Sequence, residues 1–127
     1  LDVLPGVEVY EIDGPFFCGV ATRLEELTRS TLVDKPKVRI VRMRKVPFIG
    51  STALHNLEIR IESSQADGIH IVLSGVKENV RETLLRAGID RMIGADHICP
   101  HISVAVEMAN AIVREQSADR AADVITD

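Results

Sequence analysis

The sequence predicts an α/β fold with a mixed sheet and helices packed mainly on one face. Two observations carry this. From Val38 onward, short apolar runs of strand length alternate with longer stretches whose apolar residues recur every three to four positions, the pattern of strand-helix-strand units with parallel pairing. Before that point, two short apolar runs are separated by Gly14-Pro15, which fits an antiparallel N-terminal pair.

Taken in order, Val7 to Ile12 alternates apolar and polar residues and reads as a half-buried strand ended by Gly14-Pro15. Phe16-Phe17-Cys18 reads as its partner strand, packed in the core or left as an apolar edge. Val20, Leu24, Leu27 and Thr31 are spaced for one helical face, which predicts a helix over Ala21 to Leu32 that must stop before Asp34-Lys35-Pro36. Val38 to Met43 is a strand too apolar for an exposed edge. The next helix buries Ala53, Leu54, Leu57 and Ile61, leaves Ile59 off its stripe, and ends at Ala66-Asp67-Gly68. Ile69 to Leu73 is the clearest buried strand, and it leads through Ser74-Gly75 into a helix carrying Val80, Leu84 and Ala87 inward, with Gly88 as its stop. Ile89 to Ile98 fits either a helical turn or an edge strand around Gly94. The last helix starts between Pro100 and Ser103 and has an unbroken stripe of Ile102, Ala105, Val106, Ala109, Ile112 and Val113. The predicted core spans residues 7–113 of one domain covering 1–127, with 114–127 expected as a frayed tail because the apolar spacing fades.

Composition narrows the function classes. The 127 residues, 46% of them hydrophobic, suffice for one core. Nineteen acidic against fifteen basic residues give a net charge of −4, which argues against a chain that coats nucleic acid or an anionic membrane. The basic residues Lys35, Lys37, Arg39, Arg42, Arg44 and Lys45 cluster, and strand alternation places Arg42 and Arg44 on one face, as a solvated rim with room for a local anion contact. No apolar run reaches the length of a membrane span, no signal-peptide pattern opens the chain, and Leu1 in place of Met suggests a soluble domain cut from something longer. The two cysteines, Cys18 and Cys99, form no disulfide framework and fit a reducing compartment.

The first candidate site is the turn from Val46 to Leu57, where a strand ends and a helix begins. Ser51 or Thr52 is expected to cap that helix, whose free backbone N–H groups and partial positive charge welcome an anion or phosphate. Ser74 and Gly75, ending a buried strand, form a second possible anion contact. His97-x-Cys99-x-His101 contains zinc-type ligands, but Pro100 restricts their convergence and no fourth ligand is near in sequence, so no metal and no cofactor is expected. His55 and His70 have no neighbouring acid that would nominate either as a general base. The G-x-S-x-G, G-x-x-x-x-G-K-[ST] and G-x-G-x-x-G patterns are all missing, so binding rather than catalysis is expected.

Four separated motifs then point further: Val9 to Phe17, Val41 to Pro47, Leu73 to Val76 and Ile98 to Ile102. In that order they resemble the STAS domain of SulP family sulfate permeases, over about Val7 to Ala111. The resemblance implies a cytosolic C-terminal regulatory domain of an anion transporter, not an enzyme, on the cytoplasmic side of the membrane. Its implied partners are the membrane domain of the same parent and a regulatory protein or nucleotide, with no nucleic acid and no span in this chain. The fold is shared with bacterial anti-sigma factor antagonists, in which the corresponding turn reads Asp-Ser-Ser/Thr-Gly and the second hydroxyl is phosphorylated. Thr52 matches that position, while Gly50 replaces the usual acid and Ala53 the usual glycine. Two other readings stay open: a free-standing, phosphorylation-controlled antagonist, and a small nucleotide-binding module using Ser51, Thr52, Ser74 and Gly75.

Overall fold

A computed structural model describes residues 3–13, 21–23 and 36–126 of the chain. In chain order the elements are β1 (Val7–Asp13), β2 (Ala21–Arg23), β3 (Val38–Lys45), α1 (Ser51–Ala66), β4 (His70–Ser74), α2 (Glu78–Arg86), α3 (Ile89–Ile93), a 3-10 turn (Ala95–His97) and α4 (Ile102–Thr126). The sheet order is β2-β1-β3-β4, with β2 antiparallel to β1 and the β1-β3 and β3-β4 pairs parallel. This is the expected mixed α/β sheet.

Strand alternation divides the core into two layers, one on each face of the sheet. Val7, Val9, Val38, Ile40 and Val72 point to one face, where Ala105, Val106, Ala109 and Val113 of α4 cover them. Ile12, Val41, Met43, Ile71 and Leu73 point to the other, where Ala53, Leu57 and Ile61 of α1, Val80 and Leu84 of α2, and Ile89 and Ile93 of α3 pack. Three helices therefore share one face and α4 alone closes the other.

Near the end of β3 the alternation breaks. Glu11 pairs with Arg42 but Asp13 pairs with Lys45, so β3 carries one residue more than β1 over that stretch. This bulge explains how Met43 and Val46, three apart, both join the layer under α1 to α3. It also sets Arg44 and Lys45 on the same carboxylate, with Arg44 Nε 3.1 Å and Lys45 Nζ 3.7 Å from Glu11.

A buried polar cluster interrupts the layer beneath α1. Glu8 is 7% exposed and sits opposite Arg39 in the β1-β3 register. Arg39 donates to Glu8 Oε1 from Nε at 3.4 Å and Nη2 at 3.2 Å, and to the hydroxyl of buried Ser64 on α1 at 3.0 Å. Tyr10 also donates to Glu8 at 3.3 Å, and its ring lies 5.4 Å from the Arg39 guanidinium carbon. Arg39, expected in the solvated basic rim, is thus turned inward by strand parity and bridges three elements.

The outer side of β4 is closed by the segment after α3. Ile98 forms a parallel bridge with Leu73, Cys99 N–H donates to the Leu73 carbonyl at 2.8 Å, and His97 Nδ1 lies 2.9 Å from the Ile71 carbonyl. The stretch from Ile89 to Ile98 therefore holds both alternatives its sequence allowed, a short helix and then an edge contact.

One sequence expectation needs correction. Ala21 to Arg23 is the strand β2, paired with Tyr10 to Ile12, and not the start of a helix; the remainder of the helix expected to Leu32 and the Phe16-Phe17-Cys18 strand lie outside the described residues. At the other end, α4 continues to Thr126.

The Glu8–Arg39 pair yields a stability prediction. Arg39→Ala removes the guanidinium that donates twice to the buried Glu8 carboxylate, and urea denaturation should show a loss of about 3 kcal/mol, the scale for removing one partner of a buried pair. A loss below about 1 kcal/mol would mean that Glu8 stays satisfied without Arg39.

Candidate functional site at the carboxyl end of the parallel strands

The carboxyl ends of parallel strands are where open α/β sheets present turns and helix N-termini. In this chain β3 leads there into Val46-Pro47-Phe48-Ile49-Gly50, β4 into Ser74-Gly75, and the edge segment into Cys99-Pro100-His101 ahead of α4. Val46 N–H closes a turn on the Met43 carbonyl at 3.0 Å, and Asn79 of α2 donates to the Pro47 carbonyl at 2.8 Å. The turn before α1 is thereby held from two sides, while Phe48 at its tip remains 56% exposed.

Gly50, not Ser51 or Thr52, occupies the cap position of α1, with φ −87° and ψ 175°. No side chain caps this helix and its first turn contains no acidic residue. Ser51 and Thr52 are the first two helical residues, and both are exposed. Their hydroxyls are therefore freed from the capping role expected of them. A negative group placed there meets the uncompensated positive end of a 16-residue helix. Ala53, where the anti-sigma factor antagonist turn has glycine, is 5% exposed and adds its methyl group to the core.

Ser74 and Gly75 lie at the same end of the sheet but do not join Ser51 and Thr52. Ser74 is 1% exposed, and its parity with Val72 turns it to the α4 face, away from α1. Gly75 has φ +66°, and a Cβ there would stand 2.9 Å from Arg44 Cβ and 3.0 Å from Arg44 N. Its glycine serves this close crossing of two backbones. Arg42, opposite Ser74 in the β3-β4 register, is half-buried and has no ion pair among the described residues.

The histidine and cysteine cluster does not converge. His97 is held on the Ile71 carbonyl, the Cys99 thiol is buried and donates to the Asp96 carbonyl at 3.5 Å, and His101 is exposed. Burial pushes the Cys99 thiol above its usual range and the Asp96 carboxylate adds to the shift, so the thiolate needed for reaction is scarce at neutral pH. Sequence reasoning missed the inward turn of Arg39, although its spacing from Val41 and Met43 is the signal that carries it.

Similarity to known proteins follows the same outline. The STAS domain family model matches residues 1–105. The chain belongs to the STAS domain family. It is similar to the crystal structure of a sulfate transporter family protein from Wolinella succinogenes, at 36% identity and a TM-score of 0.74, over 90% of this chain and 93% of that one. It is also similar to a SulP transporter STAS domain from Vibrio cholerae, at 28% identity and a TM-score of 0.70, covering 92% of this chain and 88% of that one. Among curated proteins, the putative sulfate transporter YvdB of Bacillus subtilis is 30% identical over 100 residues, 76% of this chain. This chain spans only 18% of that transporter's length. Among the described residues, no helix is long and apolar enough to cross a membrane.

Two outcomes are expected at this end of the STAS domain. Thr52→Glu should keep the fold and raise stability by roughly 0.3 to 1 kcal/mol, read from thermal melts at low and high salt, because a carboxylate there complements the helix dipole. Unfolding by this substitution would show that Thr52 is structurally occupied. Cys99 should resist iodoacetamide in the native state at neutral pH and react after denaturation, as followed by residue-resolved mass spectrometry.

Proposed function

We propose that this STAS domain is a cytosolic regulatory domain of a SulP-type transporter for sulfate or a related anion, acting by binding rather than by catalysis. The observation that carries this reading is the match to a SulP transporter STAS domain over 92% of the chain. Its partner in this reading is the membrane domain of the same parent, with a regulatory protein or a nucleotide as a second ligand. The exposed Ser51-Thr52 turn on an uncapped helix supports control by a negative charge, since a phosphate placed there alters the surface shown to a partner without entering the core.

Deleting residues 7–113 from the parent transporter should lower anion uptake or surface delivery while the membrane helices still insert, measured by radiolabelled uptake and surface labelling. Unchanged uptake and surface level would overturn the regulatory role. In the full transporter, Thr52→Glu should shift uptake and Thr52→Val should remove any phosphorylation-dependent response. Equal uptake of both variants under all conditions would confine Thr52 to the surface of the fold.

A further inference from the structure

A second concave feature lies at the opposite end of β4. A cleft of about 260 Å³ opens beside the start of that strand, lined by Gln65, Gly68, Ile69, His70, Ile71, Ile93 and His97. Its floor is apolar, since Ile69, Ile71 and Ile93 are all buried. Its polar groups come from three separate elements: the last turn of α1, the first residue of β4 and the 3-10 turn. No lysine or arginine lines it among the described residues.

The hydrogen bonds fix what those groups offer. His97 Nδ1 lies 2.9 Å from the Ile71 carbonyl, which can only accept, so Nδ1 carries a proton, and in the neutral ring Nε2 is the nitrogen with the lone pair. A ring nitrogen held on a backbone carbonyl, with the other left open, is the arrangement found behind metal-ligating histidines. Gln65 Nε2 donates to the Met92 carbonyl at 2.6 Å, which leaves Oε1 as the acceptor that this side chain brings to the cleft. The His70 and His97 rings lie 6.5 Å apart between centroids, tilted by 59°. Two imidazoles on one tetrahedral ion have centroids roughly 5 Å apart, from metal–nitrogen distances of about 2.0 to 2.1 Å. Exposed His70 can close that difference by a change of rotamer, while His97 stays fixed.

We propose that this cleft binds a first-row divalent transition-metal ion through His97 Nε2, a ring nitrogen of His70 and Gln65 Oε1, with water completing the shell. Imidazole nitrogen selects zinc, nickel or copper over magnesium and calcium, which favour oxygen. Because the ligands come from α1, β4 and the 3-10 turn, the bound ion ties these elements together at the sheet edge. The site is separate from the Ser51-Thr52 turn and does not depend on the transport reading.

Isothermal titration of the 127-residue chain with Zn²⁺ and with Ni²⁺ should give one equivalent bound and a raised Tm, and Mg²⁺ should give neither. His97→Asn retains a donor for the Ile71 carbonyl but deletes Nε2, so it should weaken Zn²⁺ binding tenfold or more with the fold intact by circular dichroism. His70→Ala should do the same, and a His55→Ala/His101→Ala control should bind as the parent does. Imidazole nitrogen spectra of the unsubstituted chain give a readout independent of any variant: His97 Nε2 and one nitrogen of His70 must shift on adding Zn²⁺. Unshifted nitrogens, binding that survives His97→Asn and His70→Ala, or binding lost in the control would overturn the site.

Discussion

Strand β3 is paired along both edges and covered on both faces, and the other elements take their places from it. Its even residues Val38 and Ile40 face α4, while Val41 and Met43 face α1 to α3. A strand confined in this way has one usable register, since a slip of one residue would exchange the contents of the two layers. The single permitted irregularity, the bulge between Arg42 and Lys45, comes only where the strand leaves the core.

That confinement explains why polar chemistry gathers at the strand ends. Within the sheet, Arg39 is accommodated because Glu8, Tyr10 and Ser64 satisfy it together. At the carboxyl end, the chain emerges with Arg44 and Lys45 on Glu11, then the Phe48 tip and the exposed hydroxyls of α1. These surface charge pairs add little stability. They tie the end of β3 to β1 where the chain leaves the sheet.

Much of this was legible from residue spacing. The stripe of Ala53, Leu57 and Ile61, the buried run Ile71 to Leu73 and the α4 series from Ile102 to Val113 all lie where periodicity placed them. Strand β2 was not, because three residues cannot display an alternation and the spacing of Val20, Leu24 and Leu27 equally suits a helix; pairing with β1 decides it. At the candidate site, the turn and its hydroxyls were readable, yet Gly50 took the cap position, which depends on backbone angles and not on residue preference. The burial of Ser74 and the meeting of His70 with His97 depend on strand parity and on contacts 26 or more residues apart, as between Ile71 and His97, which local pattern does not encode.

The closure of β4 has a consequence beyond the packing of one strand. A bare outer strand is a template on which a second chain can lay its own backbone, and proteins that are crowded together aggregate through such templates. With the Leu73 carbonyl taken by Cys99 and the Ile71 carbonyl by His97, that template is already occupied from within the same molecule. Two copies of this domain meeting at this side would have to associate through side chains, which leaves such a contact reversible instead of locked into a continuous sheet.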